Sequence, residues 1–186
     1  MNNADTPLTP LRLAILGLIA MHPQSGYDLK KVFETTPMGN FSSSPGAIYP
    51  ALKALEKKGW VTSETDNPDS LRPRLVYSIT EKGDAVLNAE LEKTVTHEDL
   101  IWHFDSVMLR FAFIERLGIG QALCFLDEFR NEAQKYLRHL EGLRVSMREH
   151  LSPCGRLALD HGIESYAGST RWATRAIAEL SIVEKK

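Results

Sequence analysis

The feature that most constrains the fold is a pair of short strand patterns that follows directly on three short helix patterns. Residues 60–65 and 74–79 are separated by a polar turn, so they predict a β-hairpin. Apolar residues at helical spacing precede them. Three helices and a hairpin, in this order, are typical of a helix-turn-helix unit with a wing. The helices are predicted at residues 11–19, 26–33 and 46–58, with a loop at 35–40.

Polar residues and a glycine mark the ends of these helices. Ser25 is a typical N-cap for the second helix, and Thr80 is a typical N-cap for a helix that follows the hairpin. Gly59 is a typical C-terminal stop for the third helix. Pro50 lacks a backbone N–H and therefore fits the first turn of the third helix, which predicts a cap near residues 46–47.

The third helix carries two stripes of different chemistry. An apolar stripe can hold the helix in place, and Tyr49, Lys53 and Lys57 form a polar stripe at four-residue spacing. A helix fits the DNA major groove, which is about 12 Å wide, so the polar stripe can contact base edges. The hydroxyls of residues 42–44 precede this helix and can meet phosphates. Arg72 and Arg74 flank the wing turn and can reach a phosphate or the minor groove.

The same lysines are also typical of an ordinary solvated helix face, and charge alone leaves this alternative open. The 186-residue chain has 22 Lys and Arg residues against 24 Asp and Glu residues, a formal net charge of −2. This balance argues against bulk polycation binding to nucleic acid. Any contact with DNA must therefore come from a local patch.

The second half of the chain is predicted to be entirely helical. Apolar residues surround the helix over residues 104–114, which predicts that it is buried. Two apolar stripes with alternating spacings of three and four then cover 126–147 and 159–180, with Thr170 as the one polar position. Such stripes either join two chains or pack on each other within one chain, and we expect them to join two chains. A dimer would set paired recognition helices about 34 Å apart, one turn of duplex.

Motifs for catalysis and metal binding are absent from the sequence. It contains no Cys-x-x-Cys, His-Glu-x-x-His or Gly-x-Ser-x-Gly pattern and no phosphate-binding loop, so we expect no enzyme activity, metal or cofactor. Cys124 lies among apolar residues and is predicted to be a buried core thiol. Two cysteines without a pairing framework favour a reducing, cytoplasmic location. No run of 18 apolar residues occurs, so no membrane span is expected.

Aromatic residues beside polar neighbours suggest a place for a flat ligand in the second half. The alternative is that these rings are ordinary core or interface residues. The candidate effector-binding residues are Trp102, His103, Phe104 and Trp172.

Four blocks of sequence are more specific than the helix-turn-helix pattern itself. They are Leu16-Gly17-Leu18-Ile19, Ser25-Gly26-Tyr27-Asp28-Leu29, the stretch 45–59 with its Gly-x-x-Tyr-Pro-x-Leu core, and the stretch 76–83. Their order and spacing resemble those of the PadR family of bacterial transcriptional regulators. The resemblance covers roughly residues 8–83, and the second half resembles the longer-tailed branch of the family in length and helicity.

The resemblance implies a mainly α protein. It implies a winged helix-turn-helix DNA-binding domain over residues 1–83, with three helices and a β-hairpin wing, and an all-helical dimerisation domain over 84–186 that can also bind an effector. It implies a homodimer that represses by binding an inverted repeat in double-stranded DNA and is released by a small effector. Well-known members of the family respond to phenolic acids or lipophilic drugs.

The resemblance also implies roles for single residues. Tyr49, Lys53 and Ser44 are expected to contact DNA, while Tyr27 and Lys30 are expected to contact its backbone. The alternative is a winged-helix module that binds a small molecule or a protein without binding DNA. The full set of DNA-binding candidates is Tyr27, Lys30, Ser44, Tyr49, Lys53, Lys57, Arg72 and Arg74.

Overall fold

The computed structural model describes residues 8–41, 45–66 and 74–184. The chain forms two compact units, residues 1–92 and 93–186. The mainly helical fold class and the winged helix-turn-helix are confirmed. The elements of the first unit are α1 (Pro10–Met21), β1 (Gln24–Ser25), α2 (Gly26–Thr35), α3 (Ile48–Lys57), β2 (Val61–Asp66), β3 (Arg74–Ile79) and α4 (Glu81–Leu91). Short 3-10 helices cover Pro37–Phe41 and Pro45–Ala47.

The core of the first unit forms around α1, which packs against α3 and α4. Every residue of α1 from Leu13 to Ile19 is buried, because neighbouring elements cover most of its circumference. The apolar stripe of α3 faces this core, with Ile48, Leu52 and Leu55 fully buried. The stripe predicted to hold the third helix from behind is therefore confirmed.

The predicted helix ends are confirmed at the level of single hydrogen bonds. The Ser25 Oγ accepts a 3.2 Å bond from the Asp28 N–H, while the Asp28 carboxylate accepts one from the Ser25 N–H, which makes a capping box. Thr80 Oγ1 accepts from the Gly83 N–H at 3.1 Å. Gly59 follows α3 with φ of +70°, a conformation that favours glycine. Ala47 is the N-cap of α3, which places Pro50 in its first turn.

The segment predicted as a loop at 35–40 is wrong in part, because Pro37–Phe41 forms a 3-10 helix. The Thr36 side chain accepts a hydrogen bond from the Met38 N–H at 3.2 Å, and the Thr36 carbonyl accepts one from the Gly39 N–H at 3.1 Å. These short-range bonds form a tight helical turn that begins at Pro37. The turn leads the chain from α2 toward α3.

The predicted hairpin is confirmed as the antiparallel pair β2–β3, and the structure adds a third strand. β1 pairs with the other side of β3, so the strand order is β1-β3-β2. Tyr77 lies at the centre of the sheet, opposite Gln24 on one side and Ser63 on the other. The wing turn, residues 67–73, lies outside the described residues.

The predicted end of the first domain at residue 83 falls inside α4. Leu87 and Leu91 of α4 are buried, and α4 packs on α1, so the compact unit continues to Glu92. Gly83 lies under the Trp60 carbonyl at the start of this helix. The first turn of α4 is thus part of the core of the first unit.

The second unit is entirely helical, as predicted. Its helices are α5 (His97–Trp102), α6 (Phe104–Phe113), α7 (Ile119–Ser146) and α8 (Pro153–Glu184), with a 3-10 turn at Ile114–Leu117. Among the described residues, no helix is long and apolar enough to cross a bilayer.

The two long helices, α7 and α8, pack antiparallel on each other. The Tyr136 and Tyr166 rings lie 4.7 Å apart, and Phe129 meets Trp172 at 5.5 Å. The two apolar stripes therefore pack on each other within one chain. The expectation that they also join two chains stays a prediction, since Ile177 and Leu180 keep part of the α8 stripe accessible. A short turn reverses the chain between these two helices of similar length, so the two stripes come into contact within one chain.

Two expectations about burial in this unit are wrong. Val107, Leu109 and Phe113 of α6 are buried, but Ala112 is exposed, because only part of the helix surface is covered. Cys124 is exposed rather than a core thiol. It lies about 200° around the helix from Ala122, which is buried, so it projects away from the packed face of α7.

Candidate nucleic-acid interface

The polar stripe of α3 lies on the exposed side of the helix. Lys53 and Lys57 are exposed, and Tyr49 is half-exposed, with 49% of its surface accessible. The residues that alternate with them fill the core, so α3 cannot rotate without losing its packing. The structure thus places a phenol and two ammonium groups along one accessible line about 12 Å long, at a rise of about 1.5 Å per residue.

The start of α2 lies beside the wing strand. The Arg74 guanidinium of β3 lies 5.8 Å from the centre of the Tyr27 ring, a cation–π distance. Both side chains are exposed. Tyr27 and Arg74, predicted as DNA-binding residues from different parts of the sequence, are thus brought together at one corner of the unit.

Lys30 lies one turn further along α2 and forms an ion pair with Glu34 at 3.4 Å. Both side chains are about half-exposed, and a surface pair of this kind contributes about 0–1 kcal/mol. Lys30 can therefore exchange Glu34 for a phosphate at little cost. Its ammonium group is available to DNA but is not pre-organised for it.

Two hydrogen bonds fix the acidic groups of this surface. Ser63 Oγ of β2 donates to the Glu56 carboxylate of α3 at 2.6 Å. The hydrogen bond from Ser25 lowers the pKa of Asp28, so Asp28 stays ionised in the capping box of α2. Sequence reasoning predicted Ser25 as the cap but missed the pairing of Ser63 with Glu56, because these two residues belong to separate elements.

The buried phenol Tyr77 of β3 lies within electrostatic reach of two residues of α3. Burial raises its pKa above 10.0, and the neighbouring charges of Glu56 and Tyr49 act in the same direction. Tyr77 therefore stays neutral at neutral pH. Ser44 and Arg72, two further DNA-binding candidates, lie outside the described residues.

The effector candidates of the second unit are only partly brought together. Phe104 and Trp172 both pack against the buried ring of Phe129, at 5.9 and 5.5 Å. Trp102 and His103 are exposed, and 75% of the Trp102 surface is accessible. Sequence reasoning therefore found two members of an aromatic cluster and missed Phe129, which links them.

The aromatic cluster continues to a buried cation. Phe111 contacts both Trp172 and Phe125, and the Arg110 guanidinium lies 5.2 Å from the Phe125 ring. Arg110 is only 5% exposed, and its neighbours in the sequence are a leucine and a phenylalanine. In the described part of the chain, no group of three His, Cys, Asp or Glu residues is placed to hold a metal ion.

Comparison with known proteins agrees with this geometry. Residues 15–89 match the model of the transcriptional regulator PadR-like family, and residues 105–181 match that of the virulence activator alpha C-terminal region. Negative transcriptional regulator PadR of Bacillus subtilis is 31% identical over 144 residues, which cover 73% of this chain and 72% of that protein. The chain belongs to the PadR-like family of transcriptional regulators.

One further curated regulator and one crystal structure are similar over different lengths. Transcriptional regulator YqjI of Escherichia coli is 31% identical over 91 residues, 49% of this chain and 42% of that protein. The crystal structure of Bacillus subtilis PadR in complex with operator DNA has 25% identity and a TM-score of 0.43, and covers 94% of this chain and 99% of that one.

Membership in the PadR-like family confirms the resemblance seen in the sequence. The protein is a DNA-binding transcriptional regulator with a winged helix-turn-helix domain, and the family is one of regulators rather than enzymes. A winged-helix module that does not bind DNA is therefore not favoured. The roles of individual residues in DNA binding stay predictions.

Proposed function

We propose that this PadR-like protein is a cytoplasmic repressor that binds an inverted repeat in double-stranded DNA as a homodimer. The observation that carries the proposal is the two-sided character of α3. Its apolar side is fully buried at Ile48, Leu52 and Leu55, while its polar stripe is accessible. The name of the Bacillus subtilis relative, a negative regulator, supports repression as the direction of control.

The accessible side chains divide into two groups with different tasks. Tyr49 and Lys53 on α3 contact base edges in the major groove, since that groove admits one helix. Tyr27, Lys30 and Arg74 contact phosphates on either side and set the register of the unit on DNA. Because each neutralised phosphate releases counterions, affinity falls steeply as salt concentration rises.

A dimer explains how a chain of net charge −2 binds a polyanion. Two copies of the small basic stripe double the number of phosphate contacts without changing the rest of the surface. Paired α3 helices about 34 Å apart would read two half-sites one turn of duplex apart. This spacing requires an operator with two-fold symmetry.

The effector is proposed to be a small aromatic molecule that binds in the second unit. The half-exposed Phe104, Phe111 and Trp172 rings support this, since ligand sites are mainly apolar and aromatic. Release from DNA then needs an effector that favours the unbound state by about 1–3 kcal/mol, a 5- to 150-fold change in affinity. A phenolic acid that raises the melting temperature and weakens operator binding is the expected result.

The test begins with selection of bound duplexes from a random pool with the full chain. Operator affinity is then measured by fluorescence anisotropy for the wild-type protein, Tyr49→Ala and Lys53→Ala, with gel filtration to follow the assembly. We expect each variant to bind at least 10-fold more weakly, a loss of about 1.4 kcal/mol or more, while the dimer persists. The salt slope of Lys53→Ala should fall by about one if this lysine contacts a phosphate instead of a base.

Lys82→Ala is the matched control for the loss of one exposed lysine. Lys82 lies in the first turn of α4, beyond the end of β3 that is remote from the wing turn. At about 3.3 Å per residue, β3 is about 20 Å long and lies between Lys82 and the end of the strand at Arg74. Equal affinity of all the variants, or enrichment of no sequence from the pool, would contradict the proposal.

A further inference from the structure

The first residue of α2, Gly26, lies against the ring of Tyr49 on α3. A β-carbon at residue 26 would lie 2.6 Å from Cε1 of that ring, 3.2 Å from Cζ and 3.3 Å from Cδ1. The first distance is far inside van der Waals contact. The edge of the Tyr49 ring thus occupies the space that any side chain at position 26 would need, which makes its present orientation depend on the glycine.

The backbone does not explain why residue 26 is glycine. Among the described glycines, the positive φ angles that favour this residue occur at Gly59 and Gly118. Gly26 is the first residue of an ordinary helix, and Ser25 supplies the cap from its own side chain. Alanine would suit such a position at least as well as glycine. The contact with the Tyr49 ring is therefore what requires a glycine at position 26.

The contact differs in kind from that of Gly83, another tightly packed glycine. A β-carbon at Gly83 would lie 1.9 Å from the Trp60 carbonyl oxygen, a backbone atom that cannot move without displacing the sheet. At Gly26 the obstacle is the far part of a side chain that is half-exposed and can turn toward solvent. Alanine at position 26 would therefore turn the ring of Tyr49 and leave the fold in place.

We propose that Gly26 is a positioning residue for DNA binding, whose bare α-carbon seats the Tyr49 ring and so aims its phenol along the accessible side of α3. The proposal rests on the proposed function, in which Tyr49 contacts DNA. The neighbours of Gly26 act in the same sense. Tyr27 lies against Arg74 of the wing strand, and Asp28 completes the capping box of Ser25, so the tetrapeptide 25–28 orders side chains of α2, α3 and β3.

A double-mutant cycle tests the proposal with the full chain and the selected operator duplex. The four proteins are the wild type, Gly26→Ala, Tyr49→Ala and the double variant, compared by anisotropy and by thermal unfolding. Gly142→Ala is the control, because a β-carbon at that helical glycine of α7 would meet nothing within 4 Å. We expect Gly26→Ala to bind about 10-fold more weakly with nearly unchanged melting, and Gly142→Ala to bind as the wild type does.

Comparison of Gly26→Ala in the wild-type and Tyr49→Ala proteins shows whether the loss of affinity acts through Tyr49. Once the ring is absent, alanine at position 26 has nothing to displace, so Gly26→Ala should cost less than 2-fold in the Tyr49→Ala protein. A loss of equal size in both backgrounds would overturn the positioning role. So would wild-type affinity of Gly26→Ala when Tyr49→Ala binds weakly. Wild-type affinity of Tyr49→Ala would instead overturn the proposed DNA contact of Tyr49, and the positioning role with it.

Thermal unfolding tests the contact between residue 26 and the Tyr49 ring independently of DNA binding. If Gly26→Ala fails to fold, the double variant should recover a cooperative transition, because removal of the ring relieves the overlap. Failure of the double variant to recover would overturn the proposal, since the damage would then come from atoms other than those of Tyr49.

Discussion

A single hydroxyl connects the last helix to the first helix of the second unit. The Tyr166 hydroxyl of α8 donates a 2.7 Å hydrogen bond to the Leu100 carbonyl of α5. α5 has only six residues, so this carbonyl is one of the last four and has no partner within the helix. Tyr166→Phe should lower the free energy of unfolding by about 1–2 kcal/mol, from a net bond of about 1 kcal/mol and an acceptor left partly unpaired.

Tyr136→Phe is the matched control for this prediction. The two rings meet edge to face with their centres 4.7 Å apart, so both substitutions keep the same aromatic packing. Within the described residues nothing accepts a hydrogen bond from the Tyr136 hydroxyl, and its removal should change the free energy of unfolding by less than about 0.5 kcal/mol. The two variants thus differ only in whether a hydrogen bond is lost.

The assay is urea unfolding followed by tryptophan fluorescence and circular dichroism, with hydrogen exchange at the amides of α5. Exchange there should accelerate in Tyr166→Phe and stay unchanged in Tyr136→Phe. Equal losses of stability in the two variants, or none in Tyr166→Phe, would refute the assignment of stability to this bond.

Unfolding at alkaline pH tests the same tyrosine through the ionisation of its hydroxyl. Burial raises the pKa of Tyr166 above 10.0, and Tyr136 acts in the same direction. The native state therefore holds the phenolic proton more tightly than the unfolded chain does. The resulting stability is complete below about pH 10 and is lost as pH rises through the native pKa. Tyr166→Phe should lose less stability than the wild type across that window.

Two further predictions concern the first unit. The hydrogen bond from Ser25 lowers the pKa of Asp28 below 3.8, so its stabilising effect is complete above about pH 4 and is lost as pH falls through the native pKa. Asp28→Asn should therefore weaken the acid dependence of unfolding between pH 5 and about pH 2, and an unchanged profile would count against the capping box. Gly83→Ala should destabilise the unit by about 3 kcal/mol, because the new β-carbon overlaps the Trp60 carbonyl; melting at the wild-type temperature would contradict this.

Much of the first unit could be predicted because its signals are local. The caps at Ser25 and Thr80 and the stop at Gly59 each follow from the chemistry of one residue and its near neighbours. β1 could not be predicted in this way. It has only two residues. Gln24 is a strand residue because it pairs with Tyr77 of β3, which lies far along the chain.

The second unit shows the limit of periodicity. An apolar stripe shows that a helix is covered, but the same stripe at Phe129 and Ala133 fits a helix of its own chain or of another. Neighbouring residue types misled the prediction for Cys124, since burial in a helix depends on angle and not on adjacency. The aromatic cluster was half visible for the same reason. Its centre, Phe129, lies between Glu128 and Arg130 in the sequence, and only its angle on α7 brings its ring against Phe104 and Trp172.

The packing of α7 on α8 also restricts how the proposed dimer can be tested. Ala133 and Ala173 are fully buried along the line where the two helices meet, and Gly162 lies against Leu140. A larger residue there would separate α7 from α8 within each chain before it could affect a partner. Loss of dimer in such a variant would therefore report damage to one chain. Only substitutions at exposed positions, shown to leave the unfolding transition unchanged, can establish which surface joins two copies.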